Sequence, residues 1–560
     1  MSEKLGLPQK PAGSCIAPIS TEATNSEIKS EPQQESHPTT REVVEELSYP
    51  NKVKFALIFG TLLLSTFVIG FVGANATDSN CVATIIPVIT DEFHSANDIG
   101  WYGTAYLIPS CALIVFYGKL YTFYSTKKIY ICSFIIYEIG SIMCATAPSS
   151  LVFIIGRAIA GTGSAGLVSG SKISIISLIV PLHRRPLYQG IIGGVENIAI
   201  TAGPLIAGAV TAASSWRVCF WISIPIGVVG AIVLIIFGRM PDTERENLST
   251  VERLKMLPTS SILLFLPLVI LLVLALSWGG SKYSWNNFRI ILMLALMTAL
   301  LVTFISLQLY KQDKAMFPPR IVRQRSVLSG IVFIFCVSAS LYVTAYYLPI
   351  YFQAVRGAST FDSSVRTLPL VVGLIFGSFG GGYFTTVVGY YTSSMILTSI
   401  LTAIGSGFLS RLRVNTQAPE WIVFQALFGF GCGIGFQQPY VAVQTTIPRI
   451  DIPIAITTVA FSQRMGNIVA LAIAQNLFTN RLIANLTKTV PQVNANLVLS
   501  NGVTTLRSTV EPKYLDAVLA GYSLTIDQIF LLAVALCSLS VVGSLGMEWK
   551  SVKKGRTGNT

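Results

Sequence analysis

The sequence predicts an all-α membrane protein that crosses the bilayer many times. Hydrophobic residues make up 52% of the 560 residues, charged residues make up only 12%, and the mean hydropathy is +0.64. A soluble domain carries about 25% charged residues, so most of this chain has to lie in lipid. Apolar stretches of about 20 residues, the length a helix needs to cross the hydrocarbon, recur along the chain. They are long and uninterrupted rather than short and alternating, which excludes a β-barrel.

A window of that length predicts about fourteen helical spans. The first eight lie near 53–76, 97–117, 129–148, 150–172, 188–211, 217–238, 260–279 and 287–309. Six more lie near 327–350, 367–388, 391–409, 420–441, 453–477 and 524–546. An even number of spans places both termini on the same side of the membrane.

Basic residues alternate between the two sides of this predicted topology. The loops that follow even-numbered spans carry a recurring basic set: Lys119, Lys127, Lys128, Arg184, Arg185, Arg239, Arg245, Arg253, Lys255, Lys311, Lys314, Arg320, Arg323 and Arg325. Because cytoplasmic loops are enriched in Lys and Arg, we expect these loops and both termini in the cytoplasm. Arg411 and Arg413 are exceptions on the outer side. The net charge of +13 therefore indicates topology and contact with anionic lipid rather than nucleic-acid binding.

Polar segments flank and interrupt the spans. Residues 1–50 are rich in Ser, Thr, Glu and Pro, which predicts a disordered cytoplasmic tail without a cleavable signal, and residues 549–560 form a second tail. Residues 480–521 form the longest predicted external loop, where Asn485 begins a glycosylation sequon. The nine cysteines are scattered singly, which favours a packing role over disulfides or a metal site.

The stretch GGVENIAITAGPLIAG, residues 193–208, combines poor helix formers with a charge inside an apolar run. Glycine lets helix backbones approach closely in lipid, and neighbouring groups can compensate for the hydrogen bond that Pro204 removes. A generic packing face of small residues would look the same. Glu196 is different, because an ionisable residue within a span is a candidate functional group by default.

Several motifs together identify a family. The spacing of Gly190, Ala199, Gly203-Pro204 and Ala207-Gly208 resembles the fifth-span antiporter motif of the major facilitator superfamily. DSNCVATIIPVITDEF, GWYGTAYLIPSCALIVFYGKLYTFYS, IIGRAIAGTGSAG and SSWRVCFWISIPIG are similar to signatures of its fourteen-span drug:proton antiporters. In the second half, YYLPIYFQAVRGAST, VRTLPL, FQQPYVAVQTTIP and FSQRMGNIVALAIAQNLF resemble the fungal toxin and drug exporters of that group. The resemblance covers about residues 50–550 in order.

This resemblance implies a major facilitator fold of two six-helix bundles around a central cavity. The bundles would occupy residues 51–240 and 326–548, and residues 241–325 would hold the two extra central spans. The cytoplasmic loop motif of the superfamily usually has an Asp and a Gly where this chain has Thr122 and Ser125. The charged lock attributed to that loop is therefore not expected here.

Ionisable residues within the spans are the candidates for the coupling mechanism: Asp78, Glu138, Arg157, Glu196, Arg366 and Arg464. By resemblance, Arg157 assists proton coupling through its charge, and a structural bond to helix-end carbonyls is the alternative. Glu196 is able to exchange a proton for cargo or to pair with a basic residue for structure. Our candidate coupling and conformational residues are Arg157, Glu196, Asp78, Gly203 and Pro204.

A second set of residues suits a cavity for bulky apolar molecules: Tyr106, Tyr346, Tyr347, Gln437, Gln438, Arg464 and Asn467. Arg464 and Asn467 share a helix face, because residues three apart align, whereas Gln463 is expected to face elsewhere than Arg464. Each aromatic residue alone is equally compatible with a core or lipid-facing position.

The sequence therefore predicts a proton-driven exporter of hydrophobic drugs, toxins or fungal secondary metabolites that works by alternating access. It has no GxxxxGK[ST] phosphate loop, so no ATP and no other cofactor is expected. The expected partners are an apolar small molecule, protons and membrane lipid, with a monomer in the plasma membrane or, alternatively, the vacuolar membrane. A siderophore or basic amino-acid transporter of the same fourteen-span plan stays open, as does a non-transporting receptor. No enzyme or metal site is expected, since the three histidines, His37, His94 and His183, lie far apart.

Overall fold

The regular structure of the chain is helical throughout the part that can be described. A computed structural model describes residues 52–73, 81–95, 98–171, 180–237, 252, 256–280, 283–493 and 510–553. Within these ranges the only β-type pairings are two isolated bridges. The predicted all-α class is confirmed. Asp78 and the predicted N-terminal tail lie outside the described residues.

Nine labelled helices make up the first part of the chain. They are α1 (Lys52–Val68), α2 (Cys81–Phe93), α3 (Ile99–Phe123), α4 (Thr126–Ala145), α5 (Ser150–Ser169), α6 (Arg185–Ala213), α7 (Ser223–Phe237), α8 (Thr259–Trp278) and α9 (Phe288–Lys311). A π-helical turn, Ile69–Gly73, continues α1. The short α2 lies between the first two predicted spans, 53–76 and 97–117, and the sequence analysis predicted no helix there.

Seven labelled helices follow. They are α10 (Arg325–Ala354), α11 (Leu368–Val388), α12 (Tyr391–Leu409), α13 (Ala418–Phe436), α14 (Gln438–Thr446), α15 (Ile452–Thr489) and α16 (Pro512–Gly546). Among the described residues, thirteen helices are long and apolar enough to cross a membrane. The remaining predicted span, 420–441, coincides with α13, which lies outside that set but packs against α11 and α12.

The helices pack as two groups with a pair between them. In the first half, α4 and α3 pack on α5, and α7 packs on α1 and α4. In the second half, α10 packs on α15 and α16, while α13 packs between α11 and α12. The central pair, α8 and α9, pack on each other, and α8 contacts α3 and α15. The two halves meet along two helix pairs, α3 with α15 and α6 with α11.

Glycines set the closest helix contacts. A Cβ added to Gly429 of α13 would collide with the carbonyl oxygen of Leu370 on α11, and one added to Gly163 of α5 would collide with the backbone of Tyr137 on α4. Lipid supplies no hydrophobic drive for helix association, so close van der Waals contact between backbones has to hold these helices together. This explains why poor helix formers are frequent in the spans.

The predicted external loop at 480–521 is shorter in the structure. Helix α15 continues to Thr489 and α16 begins at Pro512, so both ends of that range are helical. Asn485 of the sequon lies within α15, and its amide nitrogen donates a hydrogen bond to Thr525 Oγ1 at 2.9 Å. The side chain is thus held against a neighbouring helix rather than presented on a loop. Glycosylation at Asn485 stays a prediction.

Arg413, one of the two exceptions to the basic pattern, has a partner. Its guanidinium forms an ion pair with Asp527 of α16, and its carbonyl oxygen accepts a hydrogen bond from the hydroxyl of Tyr351 at 2.7 Å. The positive charge is therefore compensated locally, which removes the conflict with the predicted topology at this position.

Candidate functional site

Two cavities meet between the halves, and both are lined by Glu196 and Gln463. The smaller, about 30 Å³, is also lined by Thr66, Ile69, Gly70, Val168, Ser171, Tyr440, Ala460 and Arg464. The larger, about 130 Å³, is also lined by Asn197, Ile200, Thr201, Ser338, Leu341, Tyr342, Ala345, Tyr346, Leu370, Val371, Leu374, Phe436 and Asn467. We call the two together the central site.

Glu196 and Arg464 bring opposite charges to the smaller cavity. Glu196 lies on α6 of the first half, about 16 Å along the helix from its first residue, and Arg464 lies on α15 of the second half. Arg464 Nη1 is buried without a hydrogen-bond partner among the described residues. Two ionisable residues predicted from the sequence therefore meet at one cavity, which makes both sensitive to what the cavity contains.

The π-helical turn of α1 forms part of this cavity. Ile69 and Gly70 line it, and a Cβ added to Gly70 would lie 2.7 Å from Cβ of Ala199 and 3.4 Å from the carbonyl oxygen of Glu196. The glycine thus lets α1 approach α6 at the turn that carries Glu196. π-Helical turns occur frequently at functional sites, and this one lines the same cavity as Glu196.

Gln463 holds together three helices of the second half. Its Oε1 accepts a hydrogen bond from the Tyr440 hydroxyl at 2.5 Å, and its carbonyl oxygen accepts one from Ser338 Oγ at 3.1 Å. With the amide of Asn467 turned toward these acceptors, its nitrogen donates to the carbonyl oxygens of Ser338 at 3.1 Å and Gln463 at 3.3 Å. This network fixes the polar side of the central site.

The opposite wall of the larger cavity is apolar and aromatic. Tyr342 and Tyr346 of α10 face this space together with Phe436 of α13 and a row of leucine and valine side chains on α11. Sites for small organic molecules usually have a few fixed polar groups among many apolar side chains. Tyr346 and Asn467 thus lie where the sequence analysis expected cavity residues.

Arg157 and Tyr106 do not line the central site. Arg157 is 2% exposed, its Nε donates to the carbonyl oxygen of Tyr102 at 3.1 Å, and its guanidinium lies 4.4 Å from the centre of the Tyr106 ring. The adjoining Gly161 brings the α5 backbone against that of Tyr106. These residues join α3 to α5 within the first half. A cavity position for Tyr106 and a coupling role for Arg157 stay predictions.

The other predicted cavity residues also have packing positions. Tyr347 is buried, and its ring packs on those of Tyr346 and Phe478, with centroids 5.0 and 5.3 Å away. Gln437 packs against Gly193, where an added Cβ would lie 2.7 Å from its Nε2. Gln438 Nε2 lies within hydrogen-bonding distance of two backbone carbonyls at the α13–α14 junction and on α11, 3.2 and 3.4 Å away.

The antiporter-like motif runs through an unbroken helix. Gly203 and Pro204 both lie within α6, which continues from Arg185 to Ala213. Gly203 is buried and lines neither of the two cavities that meet at Glu196. Their assignment to a conformational role stays a prediction.

The halves are in close contact at the end of the bundle that carries Lys119, Arg185 and Arg320, which we call the basic end. There a Cβ added to Gly382 of α11 would lie 3.2 Å from Cα of Gly190 on α6 and 2.6 Å from the carbonyl oxygen of Pro186.

At the other pair of helices that join the halves, Gly118 of α3 packs against Thr457, and a Cβ there would lie 3.1 Å from the Pro453 carbonyl oxygen of α15. Both contacts are possible only because Gly382 and Gly118 have no side chain.

A chain of charges also crosses the basic end. Lys119 of α3 is 2% exposed, and its Nζ donates to the carbonyl oxygen of Asp313, just after α9, at 3.1 Å. Arg320 then pairs with the Asp313 carboxylate at 3.2 Å and with Asp451, just before α15, at 2.9 Å. The segment after the central pair thereby links the first half to the second. The charged lock that Thr122 and Ser125 led us not to expect has a counterpart built from other residues.

Sequence reasoning missed Gln463, Tyr440, Ser338 and Asn197 at the central site. Gln463 was set aside because it adjoins Arg464 in the chain, yet the cavities wrap around α15 and take residues from two of its faces. The one sequence feature that could have identified these residues is general: polar side chains are costly inside an apolar span, so each is a candidate for a cavity position.

Comparison with known proteins places this arrangement in a family. The profile of the Major Facilitator Superfamily matches residues 62–471. In solved structures, the proton:xylose symporter XylE bound to 6-bromo-6-deoxy-D-glucose superposes with a TM-score of 0.52 at 14% identity, covering 87% of this chain and 95% of that one. The human organic anion transporter MFSD10 has a TM-score of 0.52 at 13% identity, covering 87% and 100%. These likenesses support the fold alone.

Similar sequences come from fungi. The MFS-type efflux pump MFS1 of Trichophyton rubrum is 40% identical over 510 residues, which is 91% of this chain and 94% of the relative. Efflux pump roqT of Penicillium rubens is 42% identical over 479 residues, covering 86% and 89%. Efflux pump aflT of Aspergillus parasiticus is 40% identical over 517 residues, covering 92% and 99%. The chain therefore belongs to the major facilitator superfamily of multi-pass membrane transporters, and it is not an enzyme.

Proposed function

We propose that this transporter is a proton-coupled exporter of hydrophobic drugs, toxins or secondary metabolites that works by alternating access. The observation that carries the proposal is the meeting of Glu196 and Arg464, one from each half, at a cavity that continues into an apolar and aromatic space. The names of its efflux-pump relatives support the direction of transport.

Coupling follows if the Glu196 carboxyl group interacts with both the proton and the cargo. Glu196 lies at the junction of the two cavities, so a proton on the carboxyl and cargo in the larger cavity influence each other. Protonation removes the negative charge beside Arg464 and changes the electrostatic attraction that joins the halves. Cargo bound against the Tyr342–Tyr346 wall is then released while the proton is carried in the opposite direction.

The proposed orientation places the basic end in the cytoplasm, with both termini on that side. Basic loops favour this side of a membrane, and the contacts around Gly382 and Gly118 then close the cytoplasmic face. In this conformation the central site would be shut off from the cytoplasm, which corresponds to the release half of an export cycle. We propose the plasma membrane as the location, with a monomer as the working unit.

Efflux from proteoliposomes tests the proposal. The purified protein is reconstituted with a panel of hydrophobic fluorescent dyes, and dye movement is recorded with an imposed pH gradient and after a protonophore collapses it. We expect gradient-dependent dye movement accompanied by proton flow in the opposite direction. Movement that continues unchanged without the gradient contradicts proton coupling. A complete absence of movement for every dye contradicts the cargo class and favours a narrow siderophore or amino-acid carrier, or a receptor.

A further inference from the structure

A third cavity, separate from the two of the central site, opens between the central pair and the second half. It has a volume of about 400 Å³ and lies at the basic end. Its walls come chiefly from Phe304, Ile305 and Leu309 of α9, Ile331 of α10, and Phe461 and Met465 of α15. We call it the lateral groove. Neither Glu196 nor Gln463 lines it.

The floor of the lateral groove is a preformed aromatic cluster. The ring of Phe317 lies 6.1 Å from that of Phe304 and 5.6 Å from that of Phe461, and Phe265 packs behind them at 5.0 Å from Phe304. The Phe317 contacts are edge-to-face and the Phe265–Phe304 contact is stacked, and both arrangements stabilise the rings in place, so the groove does not depend on an occupant to form.

The groove faces the membrane rather than the centre of the protein. Ile305 and Leu309 on its α9 side are 49% and 47% exposed, and α9 is the least buried of the spanning helices among the described residues. In a bilayer these exposed side chains contact acyl chains. A long, flexible aliphatic chain is therefore the molecule most available to fill an apolar slot at this position.

A cation lies at the mouth of the groove. Arg323 lines it and is exposed, and among the described residues its guanidinium makes no hydrogen bond or ion pair. Its neighbour Arg320 is different, because Arg320 pairs with Asp313 and Asp451. Apolar walls that end at a cation are complementary to an anionic phospholipid, whose acyl chain would lie within the groove and whose negatively charged headgroup would lie at the surface.

We propose that the lateral groove binds one acyl chain of an anionic phospholipid, with the phosphate and acidic headgroup at Arg323. The leaflet follows from the proposed orientation, since the basic end then faces the anionic cytoplasmic leaflet. The bound chain fills the space between α9 and α15 and steadies the central pair beside Arg320. The choice of leaflet rests on the proposed orientation, whereas lipid binding itself does not require proton coupling, so the two are tested independently.

Lipid titration of the purified full-length protein tests the site. The number of bound lipids is measured by native mass spectrometry, with phosphatidylserine and phosphatidylcholine of identical acyl chains. We expect the first phosphatidylserine to bind about fivefold more tightly than the first phosphatidylcholine. One basic residue at the surface contributes about 1 kcal/mol of attraction to an anionic lipid, which corresponds to this factor. Arg323→Gln should remove this preference, and Arg323→Lys should retain most of it.

Two further variants separate the site from general surface attraction. Lys314→Gln removes an exposed cation from the same segment without touching the groove, so the lipid preference should not change. Ile305→Trp adds bulk at the exposed wall and should weaken binding of both lipids.

Equal effects of Lys314→Gln and Arg323→Gln would overturn the site in favour of diffuse attraction. Insensitivity to Ile305→Trp would overturn the groove as the binding position. Displacement by neutral dyes with no preference for phosphatidylserine would instead make the groove a lateral path for cargo.

Discussion

The two halves of this transporter meet in different ways at the basic end and at the central site. At the basic end the contacts are made by glycines: Gly382 packs on the backbone of Gly190, and Gly118 packs on the side chain of Thr457. At the central site the halves are separated by cavities into which Glu196, Arg464 and Gln463 project. The glycine contacts close the basic end tightly without strong directional bonds. The cavities of the central site leave space and charged groups for ligands. Alternating access needs both, since the closed end has to separate again.

The largest effect is expected from a side chain placed in the glycine contact. Gly382→Leu cannot be accommodated while α6 and α11 touch, because even a Cβ lies 2.6 Å from the Pro186 carbonyl oxygen. We expect efflux to be abolished and the basic end to stay separated, measured by thiol labelling of a cysteine introduced beside the contact. The matched control is Gly380→Leu on the same helix, where an added Cβ meets nothing within 4 Å. Equal loss of efflux in both variants would contradict the closure.

A smaller effect is expected when the polar network of the central site is broken. Gln463→Leu leaves the Tyr440 hydroxyl buried without its acceptor, which should destabilise the protein by about 1–3 kcal/mol. Adding Tyr440→Phe removes the unsatisfied group, so the double variant should regain much of that loss. Thermal unfolding of Gln463→Leu, Tyr440→Phe and the double variant in detergent measures this. Additive losses would show that the Tyr440–Gln463 hydrogen bond does not hold the two helices.

The charge chain at the basic end should matter less than the glycines. Arg320 and its partner Asp313 are both well exposed, and each exposed ion pair contributes about 0.2–1 kcal/mol. Asp313→Asn breaks only this exposed pair and leaves Arg320 bound to Asp451, so it should increase thiol labelling at the basic end only a few-fold, while efflux continues. Arg411→Gln, in an outer turn, is the control and should leave labelling unchanged. Complete loss of closure in Asp313→Asn would make the charges, rather than the glycines, the principal contact.

The smallest effect is expected at the opposite end, where Glu92 of α2 pairs with Arg217 at 2.6 Å. A hydrogen bond from the Trp216 indole, with the Arg217 guanidinium, holds the pKa of Glu92 below its usual 4.5 despite partial burial. A lowered pKa stabilises the folded state above pH 4.5, and this contribution disappears as the pH falls through the folded-state value.

Glu92→Gln should therefore reduce the loss of stability on acidification below pH 4.5, by less than about 1 kcal/mol because the pair is partly exposed. Thermal unfolding across this pH range measures the effect, with Asp91→Asn as the neighbouring control. An unchanged acid dependence in Glu92→Gln would contradict the role of the pair.

The spans and the presence of charges at the centre could be predicted from the sequence because both depend on local composition. An apolar run of about 20 residues identifies a spanning helix wherever it packs, and Glu196 and Arg464 are conspicuous in such runs. The faces of the helices could not be predicted in the same way. Spans that are apolar on all sides carry no amphipathic stripe to show which side meets a cavity.

Arg157 and Gln463 illustrate the consequence. Arg157 was a strong candidate by charge and motif, yet its ring partner Tyr106 lies on another helix and holds it within the first half. Gln463 was discounted by its spacing from Arg464, yet its partner Tyr440 lies on α14 and turns it into a cavity residue. Both outcomes depend on contacts between distant segments, which local patterns do not contain.

Glu196→Gln, compared with Glu138→Gln, tests the central claim most directly. Glu138 is also a buried carboxyl within a span, but it packs against Gly227 and lines neither cavity. In proteoliposomes, the account predicts that Glu196→Gln loses dye movement driven by a pH gradient while it retains exchange of dye for dye without a gradient. Glu138→Gln should retain both. Gradient-driven movement that survives in Glu196→Gln, with the same dependence on pH as the unmodified protein, would contradict the account.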